Sequence, residues 1–85
     1  MTYSDKINNN TILRTFNAAI SDQKLVWHRD HEDRTVKVVK GTNWQFQRED
    51  ALPVFLIEGD VIKIKKEEWH RLIKGSSDLV LEIKK

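Results

Sequence analysis

Two rhythms of apolar residues divide the chain. Near its start Ile12, Leu13, Phe16 and Ile20 recur at helical spacing behind Asn10 or Thr11, either of which can cap a helix. The pattern predicts one short amphipathic helix within TILRTFNAAI. After Ser21 to Gln23 the period changes to two and stays there, in the runs LVWH (25–28), RTVKVV (34–39), WQFQ (44–47), VFLI (54–57), VIKIK (61–65), HRLI (70–73) and LVLEI (79–83). Clusters with turn chemistry separate them at 30–33, 41–43, 48–53, 58–60, 66–68 and 75–78. Connections this short leave no room for crossover helices, so the seven strands are expected to pair antiparallel in a mainly β sandwich or barrel.

Alternation assigns faces. In β-geometry Val36 and Val38 share a face with Arg34, while Thr35, Lys37 and Val39 point the other way; Ile62 and Ile64 likewise oppose Lys63 and Lys65. Arg34 therefore points inward with the valines, where an unpaired guanidinium is costly, and an acid or a ligand must meet it. In LVWHRD the same parity groups His28 and Asp30 with Val26, and Leu25, Trp27 and Arg29 opposite. His70 shares the inward parity of Leu72. A compact β-domain that brings His28, Asp30, Arg34 and His70 together would hold one metal ion or one hydrogen-bonded ligand, and this convergence of ionisable groups is the main chemical signal in the chain. The strand 44–47 offers either its aromatics or its glutamines to the interior, and parity alone does not choose. Aromatics make better core, but inward glutamines would put Gln47 in the pocket.

Length and composition narrow the possibilities. The 85 residues suffice for one domain with one modest core, read as an N-terminal segment with the helix (1–24) and a β-unit (25–85). There is no cysteine, so neither disulfides nor a thiolate metal site can staple the fold. Fifteen basic and thirteen acidic residues are interleaved along the chain. The lysines at 63, 65, 66, 84 and 85 are interrupted by Glu67, Glu68 and Glu82, which describes a solvated face and not a nucleic-acid surface. The start MTYSDKINNN lacks the apolar run of a signal peptide, and no stretch has the roughly 18 apolar residues of a membrane helix, so a cytoplasmic protein with no membrane or nucleic-acid partner is expected. No phosphate loop, nucleophile elbow or Cys–His pair is present, which leaves nucleophilic catalysis without a candidate.

The spacing of the ionisable residues resembles the cupin superfamily. Its first motif, H-x-H-x3-E-x6-G, falls on His28, Asp30, Arg34 and Gly41 with the spacing kept and two side chains changed. The second motif, G-x5-P-x-G-x2-H-x3-N, falls on Gly59, Lys65, Glu67, His70 and Lys74, where Gly59 and His70 stand. Seventeen residues lie between Gly41 and Gly59, close to the spacing of the smallest cupins, and the resemblance spans residues 25–83. It implies a small cupin-type β-barrel, a double-stranded β-helix of jelly-roll type. The family's metal ligands correspond to His28, Asp30, Arg34 and His70, of which three can ligate. Two imidazoles and a carboxylate suit Fe(II) and also accept Mn, Ni, Co or Zn. No organic cofactor is implied. Arg34 in the glutamate's place repels a divalent ion by several kcal/mol at an effective dielectric of about 20, unless an anion sits between them.

Three functions are compatible with these residues. The first is a binding module in which Arg34, His28, His70 and Gln47 take a small anionic ligand, with a divalent metal on His28, Asp30 and His70 or without one. The second is a metal-dependent oxygenase or isomerase on the same three ligands, with Arg34 fixing an acidic substrate. The third is a structural protein with a vestigial pocket, in which Asp30 and Arg34 simply form an ion pair. His31 is turned outward by parity and reads as a surface turn residue. Trp27 and Trp69 lie opposite the site histidines and are read as packing against the N-terminal helix or a dimer partner. Exposed strand edges favour a homodimer.

Overall fold

The computed structural model describes residues 3–84. Met1 and Thr2, at the head of the N-terminal segment, and Lys85, at the end of the lysine-rich face, lie outside the described residues. Eight strands run in chain order: β1 (Ser4–Asn8), β2 (Thr11–Phe16), β3 (Arg34–Lys40), β4 (Gln45–Arg48), β5 (Val54–Phe55), β6 (Val61–Ile64), β7 (His70–Ile73) and β8 (Leu79–Lys84). They form a five-stranded antiparallel sheet in the order β1-β2-β8-β3-β6 and a three-stranded one in the order β5-β4-β7. The two sheets pack against one another and do not close into a barrel.

The segment expected to be helical, within residues 11–20, instead holds strand β2, which forms a hairpin with β1. Asn8 pairs with Thr11 across the two-residue turn Asn9-Asn10, and Asn9 has φ 55°, a left-handed conformation that asparagine tolerates better than most residues. The apolar spacing at 12, 13, 16 and 20 fits a helix, but Ile12, Arg14 and Phe16 also fit period two. β-branched Thr11, Ile12 and Thr15 favour the strand, and β8 supplies a partner for every residue of β2. Pairing across the sheet outweighed a weak local preference. The described residues contain no α-helix, only a 3-10 turn at Asp22–Lys24 capped by Ser21 Oγ.

The run 25–28 is the second departure. Only His28 pairs, in one bridge with His70, because the 3-10 turn before it and the turn at 31–33 after it leave no length for a ladder. Parity fails there accordingly: Leu25 packs on the core and Val26 is 60% exposed. Elsewhere alternation holds, with Val36, Val38, Ile64, Leu79, Leu81 and Ile83 buried from the large sheet. Trp44 and Phe46 are buried from the other side, with Phe16 and Trp44 in ring contact at 6.0 Å. Residues with left-handed φ mark four of the expected turns: Asn43, Asp50, Gly59 and Glu67.

Gly75 lies against the backbone of the preceding turn. A Cβ there would collide with the Thr42 carbonyl and stand 2.6 Å from Trp44 N, whereas one at Gly59 meets nothing within 4 Å and is disfavoured only by its φ of 93°. We expect Gly75→Ala to cost at least about 2 kcal/mol because backbone must move, and Gly59→Ala about 1 kcal/mol. Urea denaturation of the two variants checks this, and equal losses would show that Gly75 is not held against the turn.

Candidate functional site

Two turns are laced together to build the site. Glu67 N–H donates to the Asp30 carbonyl (2.7 Å) and Lys66 N–H to Asp33 Oδ1 (2.8 Å), which docks the turn before β3 on the turn before β7. Glu67 accomplishes this with φ 64°. It stands where the second cupin motif has glycine, so the left-handed turn survives the loss of that residue. Just beyond, His28 and His70 exchange both backbone hydrogen bonds, at 3.0 and 2.9 Å. Their rings meet edge-on with centroids 4.3 Å apart.

Both imidazoles are set by backbone carbonyls. His28 Nδ1 lies 3.2 Å from Val26 O and His70 Nδ1 2.8 Å from Glu68 O. A carbonyl only accepts, so each Nδ1 carries a proton, which leaves each Nε2 as the nitrogen available for ligation. His70 Nε2 faces Asp30 Oδ2 at 3.6 Å. His70 is 4% exposed; burial pushes its pKa below the ordinary histidine value, aided by the neighbouring His28 and opposed by the Glu68 hydrogen bond and the Asp30 charge. A neutral imidazole thus turns its lone pair toward a carboxylate, two donors that one cation can share.

The ligating atoms of His28, Asp30 and His70 all lie within 4.8 Å of one another. Two bonds of about 2.1 Å to one ion at tetrahedral or octahedral angles place ligand atoms about 3.0–3.4 Å apart, so side-chain adjustments of up to about 1.5 Å bring the three groups onto one ion. The donor set fits a divalent transition metal, and the Nδ1 hydrogen bonds are the outer contacts that orient metal-bound histidines.

Arg34 enters the same cavity from the start of β3. Its Nη1 is 3.8 Å from Asp30 Oδ1, within ion-pair range but too long for a hydrogen bond, and its buried Nε has no hydrogen-bond partner among the described residues. Arg14, on β2, lines the cavity as well. A helical period over its segment hides it in the sequence, yet Ile12-Arg14-Phe16 carries the same signal as Arg34-Val36-Val38, a basic residue in parity with buried apolar ones. Its Nε and Nη2 donate to the two Asp5 oxygens, each at 2.9 Å. Burial opposes its charge, but the Asp5 hydrogen bond, with Tyr3 and the carboxylates of Asp5 and Asp30, raises its pKa above the usual guanidinium value.

Other residues stand apart from the cavity. Trp44 and Phe46 take the inward face of β4, so Gln47 is directed away. Its Oε1 accepts from Arg71 Nε (2.8 Å) and its Nε2 donates to Ala51 O (2.9 Å). His31 is 91% exposed and bonds Glu67 Oε1 at 2.8 Å; that bond, with the Arg29 charge, holds the Glu67 carboxyl below the usual range. With no N-terminal helix to pack on, Trp27 and Trp69 remain on the surface beneath guanidinium groups, Arg71 at 4.8 Å and Arg29 at 5.1 Å from the ring centres.

No protein-family model and no curated protein matches the chain. Its likeness to solved structures is extensive. A cupin-2 domain protein from Shewanella frigidimarina superposes with a TM-score of 0.71 at 19% identity, covering 99% of this chain and 81% of that one. A cupin domain from Bordetella pertussis gives 0.64 at 17%, covering 96% and 88%. The Fe(II) form of HppE gives 0.68 at 11%; there 95% of this chain matches about half, 48%, of the longer protein. Identities this low speak for architecture alone, and on that architecture the chain has the fold of the cupin superfamily.

Proposed function

We propose that this cupin domain binds a small anionic ligand in its inter-sheet pocket, beside a divalent metal held by His28, Asp30 and His70. The observation that carries the reading is the meeting of two arrangements in one cavity: a buried imidazole whose Nε2 faces a carboxylate, and an Arg34 whose Nε has no hydrogen-bond partner among the described residues. A cation answers the first and an anion the second. Each also makes the other favourable, since an anion between Arg34 and the ion screens their repulsion. The metal would supply a Lewis-acid centre with positions left open by only three protein ligands. Arg34 orients the anion, and the apolar walls keep water away.

A metal-dependent oxygenase or isomerase is the second reading, favoured by the structural likeness to the Fe(II) form of HppE. Turnover of an acidic substrate that stops on metal removal would put it ahead of simple binding. A twofold dimer is a further proposal, motivated by β1, an edge strand whose five residues are all exposed. Sedimentation at micromolar concentration should give twice the 10.0 kDa chain mass, and a species at that mass would dismiss the dimer.

Metal analysis of tag-free protein tests the main reading. We expect close to one divalent ion per chain, and at least a tenfold loss of affinity in His70→Ala. Arg34→Glu removes a positive charge and adds a fourth ligand, so it should tighten metal binding by tenfold or more. Metal-free wild type together with an inert Arg34→Glu would reject the site. The neutrality of His70 has its own test. Because its folded pKa lies below the unfolded value of 6.5, the unfolded chain takes up a proton that the folded one refuses as pH falls through 6.5. Metal-free protein should therefore melt at a lower temperature at pH 5.5 than at pH 7.5, with a smaller difference in His70→Gln; identical differences would mean that His70 is not the group responsible.

A further inference from the structure

The pocket consists of two chambers that meet at Arg14, His28, Asp30, Arg34 and Leu72, and their chemistry differs. The inner one, about 60 Å³, is walled mainly by aliphatic side chains, among them Val36, Leu56, Ile62, Ile64 and Leu81. A water-sized group needs roughly 10–15 Å³, so this chamber accepts about four to six groups of methylene size. The outer one, about 300 Å³, opens past Tyr3 and Lys24.

The polar demand is concentrated where they join. Arg34 lines both chambers, and its Nε has no hydrogen-bond partner among the described residues. Arg14 is fixed by its two bonds to Asp5 and by the Tyr3 ring 3.8 Å beneath its guanidinium. Asp5 offsets the charge of Arg14 and Asp30 that of Arg34, so Lys24 leaves the metal-free chambers with a surplus of one positive charge. One singly charged planar group satisfies both the surplus and the fork of Arg34.

We infer that the pocket takes a short aliphatic monocarboxylate of about five to seven carbons, its carboxylate on Arg34 at the junction and its chain in the inner chamber. The inference rests on the anion-binding reading above and narrows it to a ligand class. The opposite orientation would bury the carboxylate among Val36, Leu56 and Ile64 with nothing to accept from. Inorganic phosphate fills none of the aliphatic chamber and brings a second charge that the metal-free site does not match.

Calorimetric titration of chelator-treated protein with acetate, butyrate, hexanoate, octanoate, hexanamide and inorganic phosphate tests this. Each buried methylene should tighten binding about fourfold, so butyrate should bind about 10- to 20-fold better than acetate. The gain should end near six carbons, where the chamber is full. Hexanamide should bind at least tenfold more weakly than hexanoate, and phosphate more weakly than butyrate. In Ile62→Phe, on the edge strand β6 and only partly buried, the gain should end at a shorter chain than in the wild type. Acetate and hexanoate binding equally, or phosphate displacing hexanoate, would overturn the monocarboxylate while leaving an anion site. Binding of none of the anions would overturn the anion reading and this inference with it, independently of the metal content.

Discussion

A single backbone bridge, two hydrogen bonds between His28 and His70, holds together what the rest of the site depends on. It ties the segment ahead of β3, in the large sheet, to the head of β7, in the small one. Without it the turn carrying Asp30 would reach His70 only through the contacts of Glu67 and Lys66 with Asp30 and Asp33. Backbone–backbone bonds suit this task because they are indifferent to side-chain identity, so both imidazoles are left free to face the cavity, each oriented by its own carbonyl.

The bridge works because the sheets behind it are fully packed. A chain of this length without cysteine must make one core serve both sheets. β8 lies at the centre of the larger sheet and buries three side chains on one face, while Trp44 fills the opposite side, its indole N–H donating to Ser77 O at 2.7 Å. Packing stops short of the end where β3 and β7 begin. There the space between the sheets is lined by ionisable groups, and the cavity is apolar at its floor and charged at its mouth.

Low dielectric gives these groups their meaning. In water a lone imidazole, a carboxylate and a guanidinium would each be solvated and indifferent to one another. Between sheets, burial favours the neutral form of His70, Asp30 stands within ion-pair distance of both His70 and Arg34 without a close hydrogen bond to either, and Arg34 Nε has no acceptor among the described residues. The exposed cluster of Arg29, His31 and Glu67 has shorter contacts but lies in solvent, where such pairs contribute little.

Much of this was written in the order of residues. Period two from Arg34 onward determined six of the strands, the buried faces of β3 and β6 and the inward direction of Arg34 and His70, because alternation is a local property of extended backbone. Motif spacing singled out His28, Asp30 and His70 even with side chains replaced, since spacing preserves turn geometry, as the left-handed Glu67 in a glycine's place illustrates. Tertiary structure alone decided the rest. Residues 11–16 satisfy helical and strand periods alike, and only the offer of β8 as a partner made them a strand and turned Arg14 into the pocket. Residues 25–28 look like a strand by composition, yet a strand exists only where a neighbour has length to pair with it, and here that length was one residue. Whether the aromatics or the glutamines of β4 faced inward was open to parity and settled by burial, because a facing sheet rewards the larger apolar surface.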